Sequence, residues 1–144
     1  MADGEAKIET EVLTPEGRVY SGTLYQISAA TTGGEIGVRS RHVPVLARIK
    51  PSMLRLYESS QEFDSRQAIR FAVGQGWLEV FADRARVLVS EAVKPEELDS
   101  EDLKVRAAEA EARLEGADPD SAAAKMAREE KERAEAFLAI SAAG

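Results

Sequence analysis

The chain has 144 residues, no cysteine, a single histidine and a net charge of −7 at pH 7. Disulfides and thiolate metal sites are excluded, and His42 alone gives no basis for a histidine metal cluster or a Ser-His-Asp site. The charge is uneven: residues 1–94 carry 12 Lys/Arg and 12 Asp/Glu, whereas residues 95–144 carry 7 and 14, so the chain lacks the clustered cations of a general nucleic-acid binder.

The start, Met1 to Lys7, is polar and acidic. It has neither a signal-peptide apolar core nor an Arg/Ser-rich leader, which suits a cytoplasmic bacterial protein. No apolar run approaches the ~20 residues that cross a bilayer.

From Ile8 to about Val93 the pattern is that of strands. Ile8 to Val12 alternates, Pro15-Glu16-Gly17 turns, and Val19 to Ile27 reads as a strand interrupted at Ser21-Gly22. Thr32-Gly33-Gly34 is a turn before Glu35 to Val38. Val45–Ile49 and Met53–Tyr57 flank Lys50-Pro51-Ser52. Ile69–Val73 leads through Gly74-Gln75-Gly76 into Trp77–Phe81, and Asp83-Arg84 turns the chain back into Val87–Val89. Many short strands at this spacing predict a β-sandwich or barrel. In Trp77–Phe81 both faces are apolar. Either the outer face is covered by another element, as the general burial of large apolar residues favours, or it meets a partner.

Beyond Lys94-Pro95 the period becomes helical. Asp99 suits an N-cap, Leu98 and Leu103 a staple across it, and Glu101 and Asp102 the first turn. Leu103, Ala107, Ala110 and Leu114 line one side, and Gly116 ends the helix. After Ala117-Asp118-Pro119-Asp120 a second helix is expected over residues 121–140. Its inner stripe is Ala123, Ala127, Ala134 and Phe137 or Leu138, with Glu130 in the seam. The fold class is thus mixed α and β: an antiparallel β-sandwich over 1–94 and an antiparallel α-helical hairpin over 95–144. The alanine stripe buries little area, so a permanently docked hairpin and a readily detached one are equally compatible with it.

The segment Gly34-Glu-Ile-Gly-Val-Arg-Ser-Arg-His-Val-Pro-Val-Leu46, the turn Lys50-Pro51-Ser52, the pair Phe71–Val80 and Ala85–Ala92, and the acidic helical pair follow one another in an order that resembles the epsilon subunit of rotary F-type ATP synthases. Where that family usually has Pro-Gly before the histidine, this chain has Arg39-Ser40-Arg41. Pro51-Ser52 and Gly74-Gln75-Gly76 are further turn substitutions.

The resemblance implies a non-catalytic central-stalk subunit on the cytoplasmic face of the bacterial membrane. It would hold the gamma subunit and the c-ring and couple proton translocation to ATP synthesis elsewhere. The segment Glu35, Ile36, Arg39, Arg41 and His42 is expected to face the c-ring. Lys125, Arg128, Lys131 and Arg133 are expected to meet alpha and beta subunits when the hairpin inhibits hydrolysis. Arg39, Arg41, Arg48 and Lys50 form a basic group in sequence, either scattered solvated charge or an attraction to acidic partner groups.

Some family members bind ATP through an Ile/Leu-Asp-X-X-Arg-Ala motif. Here Asp102-Leu103-Lys104-Val105-Arg106-Ala107 keeps Arg106 and Ala107 but exchanges the leading pair, which turns the aspartate about 100° around the helix. ATP binding is therefore not expected, no cofactor is assigned, and Arg106 reads as an intrahelical charge. The alternative function is a free-standing β-sandwich ligand-binding module with a helical oligomerisation tail.

Overall fold

A computed structural model describes residues 5–143; Met1 to Gly4 of the polar start and Gly144 lie outside the described residues. The chain divides into two compact units, Met1–Val93 and Lys94–Gly144.

The first unit is a β-sandwich. Its strands are β1 (Ile8–Thr14), β2 (Gly17–Leu24), β3 (Gln26–Thr31), β4 (Gly34–Val38), β5 (Val45–Ile49), β6 (Ser52–Tyr57), β7 (Ile69–Val73), β8 (Gly76–Phe81), β9 (Arg84–Val89) and β10 (Ala92–Val93), with a short helix α1 (Ser60–Ser65) between β6 and β7. The order is β10-β7-β6-β3-β5-β8-β9-β1-β2, and β4 pairs with β3. The link between β3 and β5 is one residue pair, Thr31 with Ile49, and there the sheet folds over on itself. Two faces then enclose Ile8, Val12, Leu24, Ile27, Leu54, Leu56, Phe71, Leu78, Val80 and Val87. These are the alternate, β-branched or branched positions of their strands, as a two-residue period requires. All ladders are antiparallel except β1 on β9.

Four local features differ from the sequence reading. The interruption after β2 falls at Tyr25, not Ser21-Gly22. Gly22 stays in register opposite Thr10, and the chain changes sheet at Tyr25, whose N–H donates to Tyr57 O at 2.8 Å. The turn after β8 is Ala82-Asp83, with φ of 51° and 62°, and Arg84 already pairs with Phe81. Two consecutive left-handed residues match the twist of a tight hairpin. Gly74-Gln75 does not close a hairpin: β7 pairs with β6 and β10, β8 with β5 and β9. Helix α1 was missed, although Ser59 and Glu62 have capping spacing and Ser59 Oγ accepts from Glu62 N at 3.1 Å.

The second unit holds a 3₁₀ turn (Pro95–Glu97), α2 (Ser100–Glu115) and α3 (Ala122–Ala143). Asp99 Oδ1 accepts from Glu101 N and Asp102 N, both at 3.1 Å, as its N-cap position requires. Ser121 Oγ does the same for Ala124 N at 3.1 Å. Helices α2 and α3 pack on Leu103, Ala110, Ala124, Ala127, Ala134, Phe137 and Ile140. The stripe therefore contains Ala124 and not Ala123, which is exposed. Phe137, and not Leu138, fills the seam, while Ala107 and Leu114 are half-buried. Ala127, Ala134 and Phe137 lie on the inner side as expected, and only the first position of the stripe differs: Ala124, three residues before Ala127, takes the place of Ala123. Glu130 is half-buried and accepts from Arg133 Nη1 at 3.1 Å.

Candidate functional site

Strand β8 has buried Leu78 and Val80 on its inner side. Its outer side is uncovered: Trp77 is 41% exposed and Phe81 68%. Pairing extends this apolar surface. Arg48 and Leu88 stand opposite Trp77, and Leu46, 68% exposed, stands opposite Glu79 next to Phe81. Val43, in the connection from β4 to β5, is also exposed. Scattered single apolar residues are ordinary on a protein surface, but Val43 of the β4–β5 connection and Leu46, Trp77, Phe81 and Leu88 of three neighbouring strands form a patch, the kind of surface on which partners dock.

The same outer face continues into charge. Arg86 Nε and Arg18 Nη1 each lie 3.6 Å from a Glu11 carboxylate oxygen, and Arg84 Nε lies 3.7 Å from Glu9. The Arg48 guanidinium lies 5.3 Å from the Trp77 ring centroid. An apolar centre with a charged margin is the layout of a protein interface. Of the two readings open for Trp77–Phe81, the exposed outer face supports the partner surface. Leu46 and Leu88 were not singled out from sequence, although strict alternation in β5 and β9 places them outward.

The five residues expected at the c-ring do not share one loop. Glu35 and Ile36 belong to β4, beside the Thr32-Gly33 turn; Glu35 is exposed and Ile36 packs on the core. Arg39, Arg41 and His42 lie past the other end of this strand, whose five residues span about 16 Å. Arg39 is exposed but anchored: its Nε donates to Gln26 Oε1 at 2.7 Å, and its guanidinium lies 4.4 Å from the Tyr25 centroid and 5.1 Å from that of Phe63. His42 Nδ1 donates to Val43 O at 2.8 Å. The basic group of the sequence is thus dispersed, with Arg39 on Tyr25 and Arg48 on Trp77.

In the helical unit Lys125 is exposed, and Arg128 Nη1 donates to Pro119 O at 3.2 Å. Lys131 forms an ion pair with Glu111 of α2, which raises the lysine above its ordinary pKa. Arg133 bonds Glu130 and stacks 4.8 Å from the Phe137 centroid. Arg106 Nε donates to Asp102 Oδ2 at 2.8 Å, one turn away, and this hydrogen bond raises the guanidinium pKa. Among the described residues no group of three or more His, Cys, Asp or Glu is placed to hold a metal ion, and no helix is long and apolar enough to cross a membrane.

The family model described as the ATP synthase delta/epsilon chain beta-sandwich domain matches residues 7–95. A curated ATP synthase epsilon chain from Laribacter hongkongensis is 38% identical over 122 residues, covering 83% of this chain and 84% of that one. The chain belongs to the ATP synthase epsilon-chain family. A second epsilon chain, from Neisseria meningitidis serogroup C, is 34% identical across 94% of this chain and 87% of its own length.

The fold is shared by chains of two solved assemblies. One is the Euglena gracilis mitochondrial ATP synthase, OSCP/F1/c-ring (TM-score 0.75, 22% identity, 93% of this chain and 81% of that one). The other is the Tetrahymena thermophila mitochondrial ATP synthase central stalk/c-ring (TM-score 0.68, 18% identity, 95% and 98%). Family membership removes the free-standing ligand-binding module as an account of this chain.

Proposed function

We propose that this epsilon-family chain is a non-catalytic rotor subunit, lying on the cytoplasmic face of the membrane. In this reading it joins the gamma subunit to the c-ring so that proton translocation drives ATP synthesis on other subunits. The observation that carries it is the exposed apolar patch of β5, β8 and β9. A stiff sheet whose inner side is core and whose outer side is apolar transmits torque to whatever packs on it, and the central-stalk assemblies of like fold support gamma as that partner.

Substituting Leu46→Asp together with Phe81→Asp tests it. Each change places a charge in a desolvated contact, and two hot-spot positions at about 2 kcal/mol apiece weaken binding by about 1,000-fold. The measurement is a fluorescence titration of the full-length chain against F-type complex stripped of its own epsilon. Tm should hardly move, because both side chains are exposed. Undiminished affinity would refute docking through this face.

The c-ring contact is assigned to the end of the sandwich that carries Glu35. Arg41 and His42, next to Val43 in the chain, go with the gamma side, and Arg39 sits apart on Tyr25 and Phe63. Cysteine at Glu35 should cross-link to c subunits in the assembled enzyme, and cysteine at Arg41 should not. The reverse result would exchange the two ends.

The hairpin is assigned as a brake on ATP hydrolysis, with Lys125 and Arg128 presented directly to alpha and beta. Lys131 becomes available once Glu111 of α2 is left behind, whereas Glu130 and Phe137 travel with Arg133 on α3.

A further inference from the structure

The backbone of Arg41 is left-handed, with φ of 66°. A non-glycine residue resists this conformation because its Cβ crowds the neighbouring carbonyl. The family's usual glycine before the histidine would adopt it without strain; this chain has arginine and needs a compensating contact.

The contact comes from 42 residues away in sequence. Asp83 Oδ1 accepts from Arg41 N at 2.7 Å, and its two carboxylate oxygens accept from Ser40 Oγ at 3.2 and 3.3 Å. Asp83 is itself left-handed, in the β8–β9 turn. On the other side of the loop, Arg39 is held by Gln26 and by the rings of Tyr25 and Phe63. His42 N donates to Arg39 O at 3.2 Å and closes the turn between these anchors. The loop then runs through exposed Val43 to Leu46, while the turn holding Asp83 follows Phe81. One carboxylate therefore ties together the two chain segments that supply the apolar patch.

We infer that Asp83 is a positioning residue for partner docking: it holds the strained Ser40-Arg41 backbone so that the loop residue Val43 stands pre-organised beside Leu46 and Phe81, which the β5–β8 ladder already fixes. This inference rests on the docking reading above. A charge-assisted hydrogen bond to a strained amide stabilises the one loop geometry that fits a partner, and pre-organisation of this kind raises affinity without adding a contact.

Three variants of the full-length chain test it in the same titration. Asp83→Gly keeps the left-handed turn and removes the carboxylate. It should weaken binding about tenfold, the scale of one charge-assisted hydrogen bond, and speed amide exchange at Arg41, His42 and Val43 while the core strands keep their protection. Asp83→Asn keeps both an acceptor oxygen and tolerance for the turn, so affinity should return to within about threefold of the parent. In an Arg41→Gly background, where the backbone strain is gone, Asp83→Gly should cost much less than in the parent, a non-additivity that a merely structural turn residue would not give.

The inference is overturned if Asp83→Gly binds like the parent, if Asn fails as Gly does, or if the two changes are additive. Leu46→Asp separates the levels. If Leu46→Asp weakens binding and Asp83→Gly does not, only the positioning role fails. If Leu46→Asp itself has no effect, the docking reading fails and takes the inference with it.

Discussion

Gly76→Ala is expected to break the sandwich. Strand β8 begins at Gly76 opposite Ile49 and Val89, where the backbone of β9 crosses close to it. A Cβ there would meet the Leu88 carbonyl oxygen well inside contact distance and Val89 Cα at 2.7 Å. Both obstacles are backbone, so no side-chain rotation gives relief; the β8–β9 ladder must shift instead. Overpacking of this kind costs about 3 kcal/mol, the upper end of its usual range. For a unit of this size that is a fall in Tm of about 12–24 °C.

Trp77 is the only tryptophan and is the next residue, so its fluorescence reports the unfolding of this unit. Gly33→Ala is the control. Its Cβ would meet only Thr31 Oγ1 at 3.7 Å, an ordinary contact. An unchanged Tm for Gly76→Ala would mean that β8 and β9 are not registered as described.

Phe137→Ala is expected to undo the helical hairpin. Phe137 is fully buried and is the largest side chain in the α2–α3 seam, where most of the other buried residues are alanine. Removing a buried phenyl ring costs about 3–5 kcal/mol. The alanines contribute little area to offset that loss, and helices in proteins owe most of their stability to the packing of their apolar face. Helical ellipticity should fall while Trp77 fluorescence stays unchanged.

The variant also tests the brake. In the assembled enzyme a stop after Lys94 should raise ATP hydrolysis and leave assembly and coupled synthesis intact, because the sandwich keeps its strands and its apolar face. Phe137→Ala should move hydrolysis the same way if the brake needs ordered helices. Hydrolysis unchanged by both, at low and high salt, would make the hairpin a passive appendage.

Much of this architecture is legible in the sequence because local period and burial coincide. The alternation in Ile8–Val12 and Ile69–Val73, and the capping chemistry at Asp99, are decided by neighbours within a few residues. What was not legible depends on distant chain. Gly74-Gln75-Gly76 looks like a hairpin turn, and only the partners of β7 and β8 show that it carries the chain between sheets.

Helix α1 is too short for a period to declare itself, and its signal lay in Ser59 and Glu62 alone. The first position of the α3 stripe was misread by one residue because small alanines occupy both Ala123 and Ala124. At the candidate site, Trp77 and Phe81 were visible as outward apolar residues. The Asp83 contact was not, since nothing near Arg41 in sequence indicates where its amide finds an acceptor.

The parallel pairing of β1 with β9 has a consequence for biosynthesis. Strand β1, made long before β9, sits between β9 and β2. Residues 8–14 must therefore wait for residues 84–89 before their sheet can close. At about 5–20 residues per second, that leaves the β1–β2 hairpin without its neighbour for several seconds of every synthesis. During this interval Ile8, Val12 and Leu24 have no core to enter. The outward side of the nascent hairpin carries Glu9, Glu11 and Arg18, charges of the kind that oppose pairing with strands of other chains. The helices are made last, so the sandwich closes while they are still being translated.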